Sequence, residues 1–265
     1  MGRRQLRLLE SRRLLTIILF AAFAWSLSGV DWFGPTVHTG GPQAFLRFIQ
    51  SLFPPELSPA FLKLTLAASF QTLAYSVASI TVAVIIAVPA GLLASGVVAR
   101  SPSSGLPVAV ASRFLLGAIR SVHELVWAVL FVYALGLSSA TAILALALPY
   151  AGILGRIYAD LLNDVSEEPL RALRACGASP FQVFLFGRLP MAFPDMLSYT
   201  FYRFECAIRS AAILGFVGIP GLGYQIQLSL HDILFGQVWT LMAAMVLLVV
   251  AVDLWSARVR RSLAA

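Results

Sequence analysis

Lysine is almost missing from this 265-residue chain: Lys63 stands alone, and the other 18 of the 19 basic residues are arginine. Charge of either sign is scarce, at 12% of residues against 59% hydrophobic, and the mean hydropathy is +0.86. A soluble domain carries roughly twice that charged fraction, so the composition excludes one and describes an all-α integral membrane protein. With one lysine there is no G-x-x-x-x-G-K-[ST] run, so the chain has no phosphate-cradling loop with which to bind ATP itself. Its two cysteines, Cys176 and Cys206, have neither metal nor redox spacing and read as small packing residues. Three histidines and no HExxH motif leave no metal set. His123-Glu124 reads as packing or as a partner for Arg120, His231-Asp232 as a surface pair, and His38 has no recognisable partner. No catalytic residues are indicated. The net charge of +7 fits membrane topology and lipid headgroups, not nucleic acid.

A spanning helix needs about 20 mostly apolar residues, and about six such stretches are present. Residues 1–13 form a basic tail and 14–30 the first span. The basic-then-apolar order resembles a signal peptide. The apolar run is longer than a signal core and lacks a small-x-small cleavage site, so it reads as a retained span. A Pro- and Gly-containing connection covers 31–57. The apolar run 61–99 is too long for one straight span. Ser58-Pro59 is a helix start, predicting a short surface helix at 58–68 and a span at about 70–98 that Pro89 and Gly91 kink or pack closely. A polar loop at 100–113 precedes a span at about 114–135, with Arg120, His123 and Glu124 near its start. Further spans fall at about 140–160, 191–217 and 237–257. Arginines gather in the N-terminal tail, in 100–113, in 156–188 and at Arg258, Arg260 and Arg261, whereas the alternate connections hold only Arg47 and Lys63. That alternation predicts both termini in the cytoplasm.

The segment "DVSEEPLRALRACGASPFQVFLFGRLP" (164–190) is dense in local signals. Ser166 is placed to cap a helix whose first turn holds Glu167 and Glu168. Leu170 and Leu173 share a face with Cys176. Gly177 is placed to end that helix in a left-handed conformation. Ser179, Pro180 and Gln182 spell a capping box that starts a second helix. Two short helices presenting an exposed Leu/Arg/Ala face, at about 166–188, suit docking of another protein.

The fifth span keeps Arg203, Glu205 and Arg209 in apolar surroundings and ends in "GIPGLG" (218–223). A charge in hydrocarbon costs at least about 2.5–3.5 kcal/mol, so these groups must face protein or water. Glu205 and Arg209, four apart, form the expected pair. Arg203 lies on the side of Tyr199 and needs another partner, such as Glu124 or a backbone carbonyl. Arg120, Glu124, Arg203, Glu205 and Arg209 are candidates either for an anion path or for structural ion pairs. Gly215 and Gly218 are expected to allow close helix approach. Gly218, Pro220, Gly221 and Gly223 form a candidate gate or re-entrant turn.

"ALRACGAS" followed by Leu189-Pro190 resembles the cytoplasmic loop of binding-protein-dependent ABC importer permeases, whose pattern is Glu-Ala-Ala, three residues, Gly, nine residues, Ile, one residue, Leu-Pro. Ala172, Gly177, Leu189 and Pro190 match it; Arg171, Leu173 and Gly187 depart from it. The resemblance covers most of the chain and is closest to phosphonate importer permeases. It runs through "FPPELS" (53–58), "IRSVHELVWAVLFVYALGL" (119–137), "ILALALPYAGILGR" (143–156), "LSYTFYRFECAIRSAAILGFVG" (197–218) and "DLWSARVRR" (253–261). It implies the type I ABC importer transmembrane fold over 14–265, in a bacterial inner membrane. It also implies a homodimer, two cytoplasmic ATPase subunits that bind ATP and magnesium, and an external binding protein. Coupling to the ATPase is implied for Arg171, Ala172, Arg174, Gly177, Ala178, Ser179 and Pro180. The substrate implied is a phosphonate or a related phosphorus oxyanion such as phosphite. The alternatives are a type I permease for another small solute and a proton-coupled secondary transporter. The latter calls for related halves, and 14–135 shows no convincing repeat in 140–257.

Overall fold

The structure is a computed structural model that describes residues 3–29, 40–97 and 102–264. The side chains of Arg3, Arg4, Arg7 and Arg12 in the basic tail, together with His38 and Arg100, lie outside the described residues. Every regular element among the described residues is helical. The chain divides into two compact units, Met1–Gln50 and Ser51–Ala265. The first holds α1 (Arg3–Ser28), apolar from Arg13 onward, and the short amphipathic α2 (Gly41–Gln50).

The second unit begins with α3 (Pro59–Ser95), one unbroken helix of 37 residues where a surface helix and a separate span were expected. Ser58 and Pro59 do start the helix. Nothing between them and residue 70 is Gly or Pro, so nothing stops it. Pro89 lies inside α3 without ending it. The expected loop at 100–113 is also helical in its described part: α4 (Pro102–Ser121) starts with Pro at its first position, where the missing N–H is no loss. α4 and α5 (Glu124–Leu135) are bent by 85° at a short break, where a single span was expected. His123 makes the break. Its backbone is extended, and its Nδ1 accepts the Leu125 N–H at 3.2 Å, capping α5.

α6 (Ser139–Asp164) is the central helix. After it come α7 (Glu167–Ala175) and α8 (Pro180–Val183). A π turn at Phe184–Arg188 leads from α8 into α9 (Leu189–Ile213). The second short helix is therefore the root of the fifth span, not a separate element. A 3-10 turn (Leu214–Val217), α10 (Leu222–His231) and α11 (Phe235–Ala264) complete the chain. Among the described residues, three helices are long and apolar enough to cross a membrane, and the two bent pairs raise the number to as many as five.

Packing follows membrane rules. The buried stripe of α3 is mostly small or hydroxylated, with Ala68, Thr72, Ser76, Ser79, Ala83, Ala87, Gly91 and Ala94, while Leu66, Phe70 and Ile85 are exposed. With lipid outside, large apolar groups gain nothing by turning inward, and small ones let backbones meet. A Cβ on Gly91 would lie 2.8 Å from the Gly155 carbonyl oxygen, and one on Gly152 would lie 2.9 Å from that of Leu116. Those contacts press α3 and α4 against α6. The inward hydroxyls of Thr72, Ser76 and Ser79 donate to carbonyls one turn back, so none is left unsatisfied.

Candidate functional site

Three regions of the second unit carry the residues singled out from the sequence. The first is the turn after α7. Gly177 is left-handed (φ +84°), which favours glycine at this helix end. The Ser179–Gln182 capping box is formed on both sides: the Ser179 hydroxyl accepts from the Gln182 N–H, and the Gln182 carbonyl accepts from the Ser179 N–H at 2.8 Å. Ser166 makes no side-chain cap. Glu167 takes the organising role instead, accepting from Arg174 at 3.0 Å and from Arg188 at 2.6 Å. Burial works to push its carboxyl up, but the hydrogen bonds and charges of those two arginines outweigh this and hold it below the usual range. Arg188 also donates to the Leu162 carbonyl at 2.7 Å, fastening α7 to the end of α6.

Leu170, expected on the exposed face, is fully buried against Gly187, where a Cβ would lie 2.6 Å from its Cδ2. That contact gives Gly187 a packing role at the position where the family pattern has Ile. Ala172, Cys176, Phe181 and Phe186 remain exposed. Two hollows of about 420 and 270 Å³ open beside α7, and Leu173, Cys176 and Phe186 border both. Cys176 is exposed and Cys206 half-buried. A hydrophilic maleimide is therefore expected to label Cys176 well before Cys206, as peptide mass mapping over time would read. Equal rates would place Cys176 under cover.

The second region is a cavity of about 470 Å³ lined by Gly117, Arg120, Ser121, Ile153, Tyr199 and Arg203. The partners found here differ from those expected. Arg203 donates through Nε, at 3.0 Å, and through Nη2 to the Tyr199 hydroxyl. Its guanidinium lies 5.1 Å and 5.4 Å from the Tyr199 and Tyr202 ring centres. Glu124 accepts from the Ser210 hydroxyl at 2.7 Å, so Tyr150 donates to Ser210 at 3.1 Å, and this chain ties α5, α9 and α6 together. The anticipated Glu205–Arg209 pair does not form. Glu205 accepts from Arg260 at 2.7 Å and from Ser256, both on α11, while Arg209 is exposed and among the described residues reaches only the Cys206 sulfur. Spacing along one helix reveals only neighbours on that helix. Arg260 and Ser256 carried no sequence signal beyond a terminal basic cluster.

The third region is the glycine turn. A Cβ on Gly223 would lie 1.7 Å from the Ala212 carbonyl oxygen, and one on Gly215 would lie 2.2 Å from the Tyr224 nitrogen. Gly215 gives the close approach expected of it. Gly218 does not: nothing lies within 3.6 Å of its Cβ position, and its role is a left-handed turn at φ +86°. The Leu222 N–H donates to the Thr72 hydroxyl at 2.9 Å, so the irregular backbone is satisfied inside protein. Pro220 is exposed. Across the turn the path bends by 44° into α10.

Residues 87–264 match the family model of the binding-protein-dependent transport system inner membrane component. The chain belongs to this family. It is similar to the phosphite transport system permease protein PtxC of Stutzerimonas stutzeri, with 34% identity over 72% of this chain and 68% of that protein. It is also similar to the phosphate-import permease protein PhnE of Mycolicibacterium smegmatis, with 29% identity over 91% of this chain but only 43% of that protein. Among solved structures, the methionine ABC transporter MetNI in inward-facing conformations matches with a TM-score of 0.68 and 22% identity. That match covers 78% of this chain and 99% of the other. The fold is thus that of type I ABC importer permeases. This family member is an inner-membrane transport subunit, and its described bundle, from α3 to α11, falls largely within the matched span.

Proposed function

We propose that this chain is the permease subunit of an ATP-driven importer of phosphite, phosphonate or a closely related phosphorus oxyanion. The observation that carries this reading is the similarity, over most of the chain, to permeases named for phosphite and phosphate transport. Two copies form the channel, with both termini in the cytoplasm. An external binding protein delivers the ion. ATP and magnesium bind to two separate ATPase subunits. The ATPase seats against the hollows beside α7, among Arg171, Ala172, Gly177, Ala178 and Pro180. Exposed apolar groups there, held in place by a salt-bridged and capped turn, support that seating. Arg174 serves less as a direct contact than as part of the scaffold, since Glu167 engages it. The glycine turn at 218–223 is the gate.

The test is ATP hydrolysis by the reconstituted transporter with its binding protein. Phosphite or methylphosphonate should stimulate hydrolysis clearly above the basal rate, and sulfate should not. Ala172→Trp, which fills one hollow, should abolish the stimulation and loosen co-purification of the ATPase. Stimulation by sulfate alone would refute the substrate class. Unchanged coupling in the tryptophan variant would refute the docking face.

A further inference from the structure

We propose that the cavity between α4, α6 and α9 is an oxyanion-binding station within the membrane, with Arg120 and Arg203 as its cationic groups. The inference rests on the phosphorus-oxyanion reading above and gives that substrate a residence inside this chain. It is carried by charge without a counter-charge. Arg120 and Arg203 both line the same cavity of about 470 Å³, and among the described residues neither has a carboxylate within ion-pair distance. Three acidic groups on these and adjoining helices are engaged elsewhere: Glu124 with Ser210, Glu205 with Arg260, and Asp160 with Arg113 and Arg156. Two guanidiniums left without an anion at a membrane depth are costly unless something negative visits them.

The geometry of Arg203 suits a visitor. Nε and Nη2 point at the Tyr199 hydroxyl, and the two tyrosine rings support the guanidinium plane. Its Nη1 donors make no hydrogen bond among the described residues. The Tyr199 oxygen accepts from Arg203, so its own proton is free to be donated outward. Ser121, although its hydroxyl donates to the Ala118 carbonyl, lines the same cavity and keeps acceptor capacity for a protonated oxyanion. A monoanionic or dianionic tetrahedral oxyanion would meet paired N–H donors, a phenol and a second guanidinium. Arg120 is exposed and makes no hydrogen bond among the described residues, so its side chain is free to move with the ion. An open cavity with one fixed and one mobile cation binds weakly enough to release, as conduction requires.

The experiment measures phosphite uptake and ATP consumed together in proteoliposomes of the full transporter with its binding protein. Arg203→Gln and Arg120→Gln should each reduce ions moved per ATP by about tenfold or more, the scale of one lost charge-assisted hydrogen bond. Arg203→Lys should recover part of the loss, because it keeps the charge and loses the fork. Tyr199→Phe should raise the half-saturating phosphite concentration. If Arg203→Gln does not assemble, Arg120→Gln decides, since its exposed side chain holds nothing in place. Wild-type phosphite transport that both glutamine variants retain within twofold would overturn this site while leaving the substrate reading intact. Absence of wild-type uptake for every phosphorus oxyanion would instead overturn the reading on which it rests.

Discussion

Gly223→Ala will destabilise the folded chain by about 3 kcal/mol or more, at the top of the range for overpacking. The new methyl would lie 1.7 Å from the Ala212 carbonyl oxygen, and its other close neighbours are also Ala212 backbone. A flexible side chain could swing away; a helix backbone cannot. The 212–223 contact must part, and with it the Leu222 bond to Thr72 that positions the turn on α3. Thermal or denaturant midpoints in mild detergent would read the loss. Gly236→Ala is the control: its Cβ would meet its nearest neighbour at an ordinary 3.4 Å, so its effect should stay within about 0.5 kcal/mol. Equal midpoints for the two variants would mean that the turn does not press on α9.

Glu205→Ala carries the second large effect, about 2–4 kcal/mol, because it leaves Arg260 and Ser256 facing an empty acceptor position between α9 and α11. The value stays below that of a wholly buried pair because Arg260 keeps 26% of its side-chain exposure. Arg209→Ala, the partner that helical spacing suggests, should change stability by no more than about 0.5 kcal/mol, since Arg209 is exposed and among the described residues hydrogen-bonds only to the Cys206 sulfur. A double-mutant cycle of Glu205→Ala with Arg260→Ala should show coupling of at least about 1 kcal/mol. Strict additivity, or a large loss from Arg209→Ala, would return Glu205 to the pairing along its own helix.

That contrast marks what the sequence made legible. Local chemistry was readable: the Ser58-Pro59 start of α3, the Ser179–Gln182 capping box, the left-handed Gly177 and the extents of α6 and α9 all follow from neighbours a few residues apart. Long-range choices were not. Arg203 goes to Tyr199 on its own helix, whereas Glu205 bypasses Arg209 for a residue 55 positions on. The second outcome depends on which helices are adjacent, which no periodicity encodes, while the first is a contact one turn back on the same helix. The break at His123 was hidden for a different reason. Histidine is an uncommon helix cap, and the residues on both sides of it are apolar enough to read as one span. Four glycines in nine residues announced a turn, but only the packing against Ala212 distinguishes Gly223, a contact, from Gly218, a hinge angle.

The uninterrupted α3 also serves as a depth gauge. From Thr72, which holds the glycine turn, to Ala94, whose carbonyl accepts from Arg113, a helix rises about 33 Å. The hydrocarbon layer of a bilayer is about 30 Å thick. The glycine turn and the Arg113–Asp160 cluster thus stand about one hydrocarbon thickness apart along α3. The first part of α3, from Pro59 to Thr72 and including Lys63, runs some 20 Å beyond the turn. A tilt of α3 moves the turn and the charged cluster in opposite directions.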